Sequence, residues 1–373
     1  MWNRFKTFDP WLYLLPLILL AISVVFIYTL TVDSSGPGLY EHQAVFGVIG
    51  VVLMLAATFI DYRGLRSWAN WIYLAGLIGL VLVRIPAIGK SDFGAQRWIN
   101  LGFFQLQPAE IEKLVIIIVV AALLSRARMA VSGRRFAMVV GAILLPVVAI
   151  MLQPDLGTAI VVAFTGTVIL LHARLRRWQL VTIITGLVLV ITVVSLSFKE
   201  VAPFSKILKE YQKDRLASFI DPSRDPLKTG YNVQESVIAV GSGGVTGKGL
   251  GYGSQSELNF LPVVYADFIF AGIAEAWGLV GTWAILGIYF FLLYRVLQAA
   301  RIAKDDFGML ICIGVLAKVL IEVLVNVGMN IRLMPVTGIP LPLLSYGGTT
   351  LFTNMLALGI VQSVVIRYKR LTF

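Results

Sequence analysis

KTGYNVQESVIAVGSGGVTGKGLGYGSQSELNFLPVVYADFIFAGIAEAWG, residues 228–278, passes from a glycine-dense polar segment into a long apolar helix. The change falls near Pro262, and Asp267 stands where the apolar run opens. A carboxylate at a membrane boundary is costly, so one placed there marks function by default. Working outward from it, the expectation is that the other polar loops wall a cavity around Asp267.

The remainder of the chain fits a membrane. Of 373 residues, 58% are hydrophobic and 14% charged, with a mean hydropathy of +0.86. Together with repeated apolar runs of spanning length, that balance excludes a soluble domain and indicates an all-α polytopic membrane protein. Ten spans are read, at residues 11–32, 44–60, 68–88, 110–125, 136–153, 158–172, 179–198, 266–294, 307–330 and 346–366. Several fall short of the ~20 residues that cross a bilayer, which points to shallow or cavity-lining helices. The first run follows Arg4 and Lys6 and is too long for a cleaved signal core.

The formal net charge of +11 follows membrane orientation rather than nucleic-acid binding. Basic residues gather in alternate connections, as at Arg63/Arg66, Arg134/Arg135, Arg176/Arg177 and Arg301/Lys304, and in both tails. The positive-inside rule then gives N-in, C-in. The outer connections (33–43, 89–109, 154–157, 199–265 and 331–345) are longer and hold the glycines, prolines and polar residues. One membrane domain, 1–373, is expected, with 199–265 as a large extracytoplasmic loop before the eighth span. Chemistry is expected on that outer side. A lone Cys312 and two distant histidines, His42 and His172, argue against a disulfide, a zinc cluster or a serine–histidine triad.

Several residues could carry that chemistry. Glycine-rich 241–253 fails both the Walker spacing and the dinucleotide fingerprint. Two readings remain: a flexible loop, or backbone N–H groups and Lys248 brought near an anion. Asp267 is either a helix-capping residue or a general base whose pKa its setting can tune. Glu275, eight residues on, lies about 12 Å deeper and about 80° around the helix, and reads as a buried structural or cavity group. Glu110 and Lys113 can pair at i,i+3, and Lys318 with Glu322 at i,i+4 reads as a structural pair. Asp155 suits a tight turn. Arg97 and Trp98 offer a cation and a stacking ring, or merely anchor their loop. Residues 203–220 read as a surface helix, and 334–350 (MPVTGIPLPLLSYGGTT) as re-entrant backbone lining a cavity.

Those segments resemble the SEDS family (shape, elongation, division and sporulation), and within it the elongation branch, RodA, rather than the division branch, FtsW. The carriers are GAQRWINLG (94–102), QPAEIEKL (107–114), QPDLGT (153–158), YQKDRLASFIDPSRDP (211–226), GYNVQESVIAVGSGGVTGKGLGYGSQSELNFLP (230–262), DFIFAGIAEAWG (267–278) and GIPLPLLSYGG (338–348). The resemblance implies a glycosyltransferase of the bacterial cytoplasmic membrane that polymerises lipid II into peptidoglycan strands. Asp267 matches the family's essential aspartate. Its implied role is to deprotonate the acceptor 4-hydroxyl, which attacks the lipid-linked donor strand with inversion as undecaprenyl pyrophosphate leaves. Glu110, Lys113, Arg97, Asp155, Arg215, Lys248, Gln255 and Ser345 are the implied substrate-binding residues. A divalent cation such as Mg or Mn would suit the leaving group, although no dedicated cage is legible. The implied partner is a class B penicillin-binding protein, since no soluble transpeptidase domain is read in the chain. One departure stands out: Val263 and Ala266 occupy positions where the family usually has Glu and Thr. A lipid II flippase and a recruiting scaffold are the rival classes. The flippase would need polar groups continuing inward past Glu275.

Overall fold

The computed structural model describes residues 8–31, 38–86, 89–92, 95–100, 102, 104–126, 130–202, 204, 208–221, 229–253 and 264–368. Among them are twelve helices: α1 (Trp11–Thr31), α2 (Leu39–Phe59), α3 (Tyr62–Leu82), α4 (Pro108–Leu124), α5 (Gly133–Met151), α6 (Leu156–Leu171), α7 (Arg177–Phe198), α8 (Glu210–Ile220), α9 (Thr229–Ser242), α10 (Ile269–Ile302), α11 (Asp306–Asn330) and α12 (Gly348–Ile366). A small antiparallel sheet, β1 (Gly89–Asp92), β2 (Ala95–Asn100) and β3 (Gln105–Leu106), lies between α3 and α4. The all-α polytopic reading stands.

Ten of the helices fall on the ten expected spans. Eight are long and apolar enough to cross a membrane, whereas α4 and α6 have 17 and 16 residues. Both short helices sit inside the bundle, packed on each other and on α11. They are enclosed by protein and need not match a bilayer. The opposite extreme is α7, with only 6% of its apolar window buried. Its face is left to lipid.

Several boundaries differ from expectation: α3 runs over Tyr62–Leu82 rather than 68–88, and three further differences have visible physical reasons. The start of α2 lies at Leu39, because its polar first turn is satisfied inside the protein: Gln43 donates to Ser23 Oγ (3.1 Å) and to the Ser345 carbonyl (3.3 Å). The C-terminal end of α10 continues through Arg295, which is paired with Asp9 at 2.5 Å. And the described part of the connection 89–109 contains a sheet whose Ile99 pairs with both Gly89 and Leu106.

The largest departure concerns the glycine-rich stretch, which is neither free loop nor phosphate cradle. Residues 229–242 form α9, and the turn after it plugs a break in α10 at Gly278, where φ is 62° and ψ −159°. In a continuous helix the N–H groups of Leu279 and Val280 would bond to the carbonyls of Glu275 and Ala276. Here they bond to Gly244 O (2.9 Å) and Val245 O (3.1 Å), while those two carbonyls accept from Lys248 N (3.0 Å) and Gly249 N (2.9 Å). Four backbone groups are exchanged one for one, so none is orphaned. The approach is close enough that a Cβ on Gly247, itself at φ 81°, would overlap the Ala276 carbonyl.

Candidate active site

Asp267 does not cap α10. The helix begins at Ile269, and its N-terminus receives no side-chain cap from the residues just before it. A side-chain acceptor comes from α11, where Asn330 Oδ1 shares the Ala271 N–H (3.2 Å) with the Phe268 carbonyl (3.0 Å). The same helix fixes Asp267 from behind: Asn326 Nδ2 and Asn330 Nδ2 donate to the Asp267 carbonyl at 3.0 and 3.3 Å. In turn, Asn326 also donates to Ile339 O at 2.8 Å, tying the 334–347 loop to the same support. Ser345 adds a clamp, donating to Ala266 O at 2.5 Å and accepting from Leu341 N at 2.8 Å, and Tyr346 N donates to Tyr265 O at 2.9 Å.

The Asp267 backbone is thus fixed on three sides. Its half-buried carboxylate makes no hydrogen bond among the described residues and faces Gly338, where an added Cβ would lie 3.5 Å from Oδ2. Arg215, Asp155 and Arg97 are the charges that act on it. Burial is the largest influence and raises the Asp267 pKa; the two arginines oppose that rise, and Asp155 adds to it.

Each neighbour has an anchored position. Arg215, on α8, donates from Nη1 to Thr337 O at 2.8 Å and stacks 5.9 Å from the Tyr211 ring centre. Burial, and then the Arg97 cation, draw its pKa down. Arg97, on β2, donates from Nε to Gln153 O at 3.1 Å and from Nη2 to Pro154 O. Asp155 caps α6 by accepting from Thr158 N at 3.1 Å, and Gln107 Nε2 donates to its other oxygen at 2.9 Å. Each guanidinium keeps further N–H donors beyond those used on carbonyls. Two cations and two carboxylates therefore meet at one end of the bundle, drawn from four separate segments.

The other expected residues fall elsewhere. Lys248 does not join this group; its ammonium pairs with fully buried Glu275 at 2.7 Å, beside the break in α10. Ser345 holds backbone and does not offer its hydroxyl proton to a ligand. Gln255 lies outside the described residues. Glu110 and Lys113 pair at 2.6 Å, as their spacing suggests, but they are sealed: Lys113 also meets Glu322 at 2.7 Å, and Glu322 meets Lys318 at 3.0 Å. Lys318 finishes on Asn354 Oδ1 at 2.8 Å. Charges do continue into the bundle, as a closed chain of partners that are all buried.

Sequence reasoning missed Asn326, Asn330, Gln107 and the Thr337 carbonyl. A signal existed for the asparagines: two amides at i,i+4 in an apolar helix need partners in a membrane. For a divalent metal, no three His, Cys, Asp or Glu side chains converge among the described residues. Asp155 is already committed to Gln107 and Thr158, so no step below is routed through a metal.

Residues 10–370 match the model of the FtsW/RodA/SpoVE family, described as cell cycle proteins. The chain belongs to that family. Among its relatives is the peptidoglycan glycosyltransferase MrdB of Escherichia coli K12, 36% identical over 98% of this chain and 97% of that one. The peptidoglycan glycosyltransferase RodA of Treponema pallidum is 33% identical, covering 96% of this chain and 98% of its own. Solved structures agree. A chain from a peptidoglycan synthase complex that coordinates polymerisation and crosslinking superposes with a TM-score of 0.79, at 30% identity and over 96% of this chain and 97% of that one. Thermus thermophilus RodA, a rod-shape-determining protein, gives 0.70 at 27% identity, over 97% of this chain and 98% of its own. Among FtsW/RodA/SpoVE proteins, then, this chain is similar to the RodA-type members over nearly its whole length.

Proposed function

We infer that this protein is a peptidoglycan glycosyltransferase that polymerises lipid II into glycan strands during cell elongation, working at the outer face of the cytoplasmic membrane. The activity in the names of its full-length relatives supports this. So does one feature of the site: a carboxylate fixed by its backbone, unbonded at its side chain, and flanked by two arginines.

In this reading Asp267 is the general base. It takes the proton of the acceptor sugar's 4-hydroxyl, and the freed oxygen attacks the anomeric carbon of the lipid-linked donor strand. The bond to undecaprenyl pyrophosphate breaks with its electron pair, and configuration inverts. Arg215 and Arg97 are placed to offer N–H donors to the departing pyrophosphate, the group on which negative charge develops. Partial burial suits the base, because a pKa above the ordinary aspartate range brings it nearer working pH. Asp155 holds the turn on which Arg97 rests. A class B penicillin-binding protein is the proposed partner, supported by the likeness to a chain from a complex that couples polymerisation with crosslinking.

The test is product analysis. Purified protein incubated with lipid II, with and without a class B penicillin-binding protein, should yield glycan strands and release undecaprenyl pyrophosphate one for each bond formed. Movement of intact lipid II across a vesicle bilayer, with no new glycosidic bonds, would support the transporter reading instead.

A further inference from the structure

The described buried acids of this fold come with partners, with one exception. Asp9 has Arg295, Glu110 has Lys113, Glu275 has Lys248, Glu322 has Lys113 and Lys318, and Asp155 accepts hydrogen bonds from Gln107 and Thr158. Glu112 has none. It is 0% exposed, and neither carboxyl oxygen has a hydrogen-bond partner.

Its place is built for it. Glu112 projects from α4 toward α3, where Gly76 leaves a notch: a Cβ there would overlap Glu112 Oε2. Around it Val115, Val119 and Ala142 form an apolar cluster with Ile72, Tyr73, Ile111 and Leu123. One turn above, Pro108 packs on Gly79, whose Cβ would lie 3.4 Å from the proline ring. No charge reaches the notch. On α3, Tyr73 donates its hydroxyl to Ala142 O at 3.1 Å, and Arg63 and Arg66 lie ten or more residues away, about 15 Å along the helix. On α5, Arg134 and Arg135 precede Ala142 by seven or more residues, about 10 Å. On α4 itself, Glu110 and Lys113 turn to the opposite side, onto α11.

We propose that Glu112 is a proton-binding site, seated between α3 and α4 as the neutral carboxylic acid, whose ionisation drives the two helices apart. An unpaired carboxylate in that apolar notch would lack every compensation that the other buried acids have. The neutral acid fits, and Gly76 gives it room. Loss of the proton would be relieved only by water entering between α3, which is exposed along most of its other side, and α4. That seam matters to the rest of the molecule because α3 leads into the β1–β2 hairpin bearing Arg97, and α4 carries Glu110 and Lys113.

The experiment compares wild type with Glu112→Gln in detergent or nanodiscs, with two readouts over a series from mildly acidic to strongly alkaline pH. Infrared difference spectra should show a protonated-carboxyl C=O band in wild type that is missing from Glu112→Gln and fades as pH rises. Over the same range the wild-type melting temperature should fall by several degrees more than that of the variant, whose neutral amide cannot ionise. Glu112→Met, similar in length and apolar, repeats the comparison if the amide variant fails to fold. Absence of the band at neutral pH would overturn the proposal, as would melting curves of wild type and variant that fall in parallel.

Discussion

Asp267 is held by its main chain and left open at its side chain, which is the arrangement a base requires. Its raised pKa sets a sign for the pH dependence. In the proposed role as base the ionised form is the active one, so activity should fall as pH drops through a midpoint above the ordinary aspartate range. Arg215 opposes that rise, so Arg215→Ala should move the acid limb to still higher pH, measured as initial rate of strand synthesis against pH; an unmoved limb would mean that Arg215 does not act on the base. Ser345→Ala removes a donor to Ala266 and an acceptor for Leu341, at a cost of about 1–3 kcal/mol. A lowered melting temperature and a lowered rate, with substrate affinity little changed, should follow. The sequence made Asp267, Asp155 and Arg97 legible because each lies in a motif with a recognisable local shape. The partners that the structure gives Ser345 and Lys248 were not legible: the Ala266 carbonyl and the Glu275 carboxylate are 79 and 27 residues away, and no local spacing announces such contacts.

At the scale of elements, the break in α10 and the turn after α9 form one unit, because each supplies the backbone partners that the other lacks. Gly247→Ala would force a side chain into left-handed backbone and onto the Ala276 carbonyl, at a cost of at least ~1–2 kcal/mol. Gly241, in the last turn of α9, has open space around its Cβ position. There alanine should be neutral or stabilising by about 0.5–1 kcal/mol, as expected of a helix interior. Paired thermal melts test the claim, and equal effects at the two sites would refute it. Long apolar helices could be read directly, since periodicity and hydropathy are local properties. The 229–253 stretch could not, since its glycine density looks the same whether a loop is free or pressed against another backbone.

For the molecule as a whole, the interior is specified by charge as well as by packing. Lys318, midway along α11, is joined through Glu322 and Lys113 to Glu110 in the first turn of α4, across helices that hydropathy alone would only stack together. Cutting such a chain costs more than forming it gains. Glu322→Gln would leave Lys113 and Lys318 each short of a charge partner and should destabilise the protein by about 3–5 kcal/mol, visible as a large loss of melting temperature or of folded yield. An unaffected melt would mean that water reaches the interior. This chain of pairs also bears on function, because partners closed on one another leave the cluster around Asp267 as an open polar site among the described residues. The measurement that probes that cluster most directly is strand synthesis from lipid II by purified Asp267→Asn, checked for correct folding by its melting curve. Replacing the base by its neutral isostere should reduce synthesis by about 10²–10⁴-fold while leaving partner binding intact; synthesis at the wild-type rate would contradict the account.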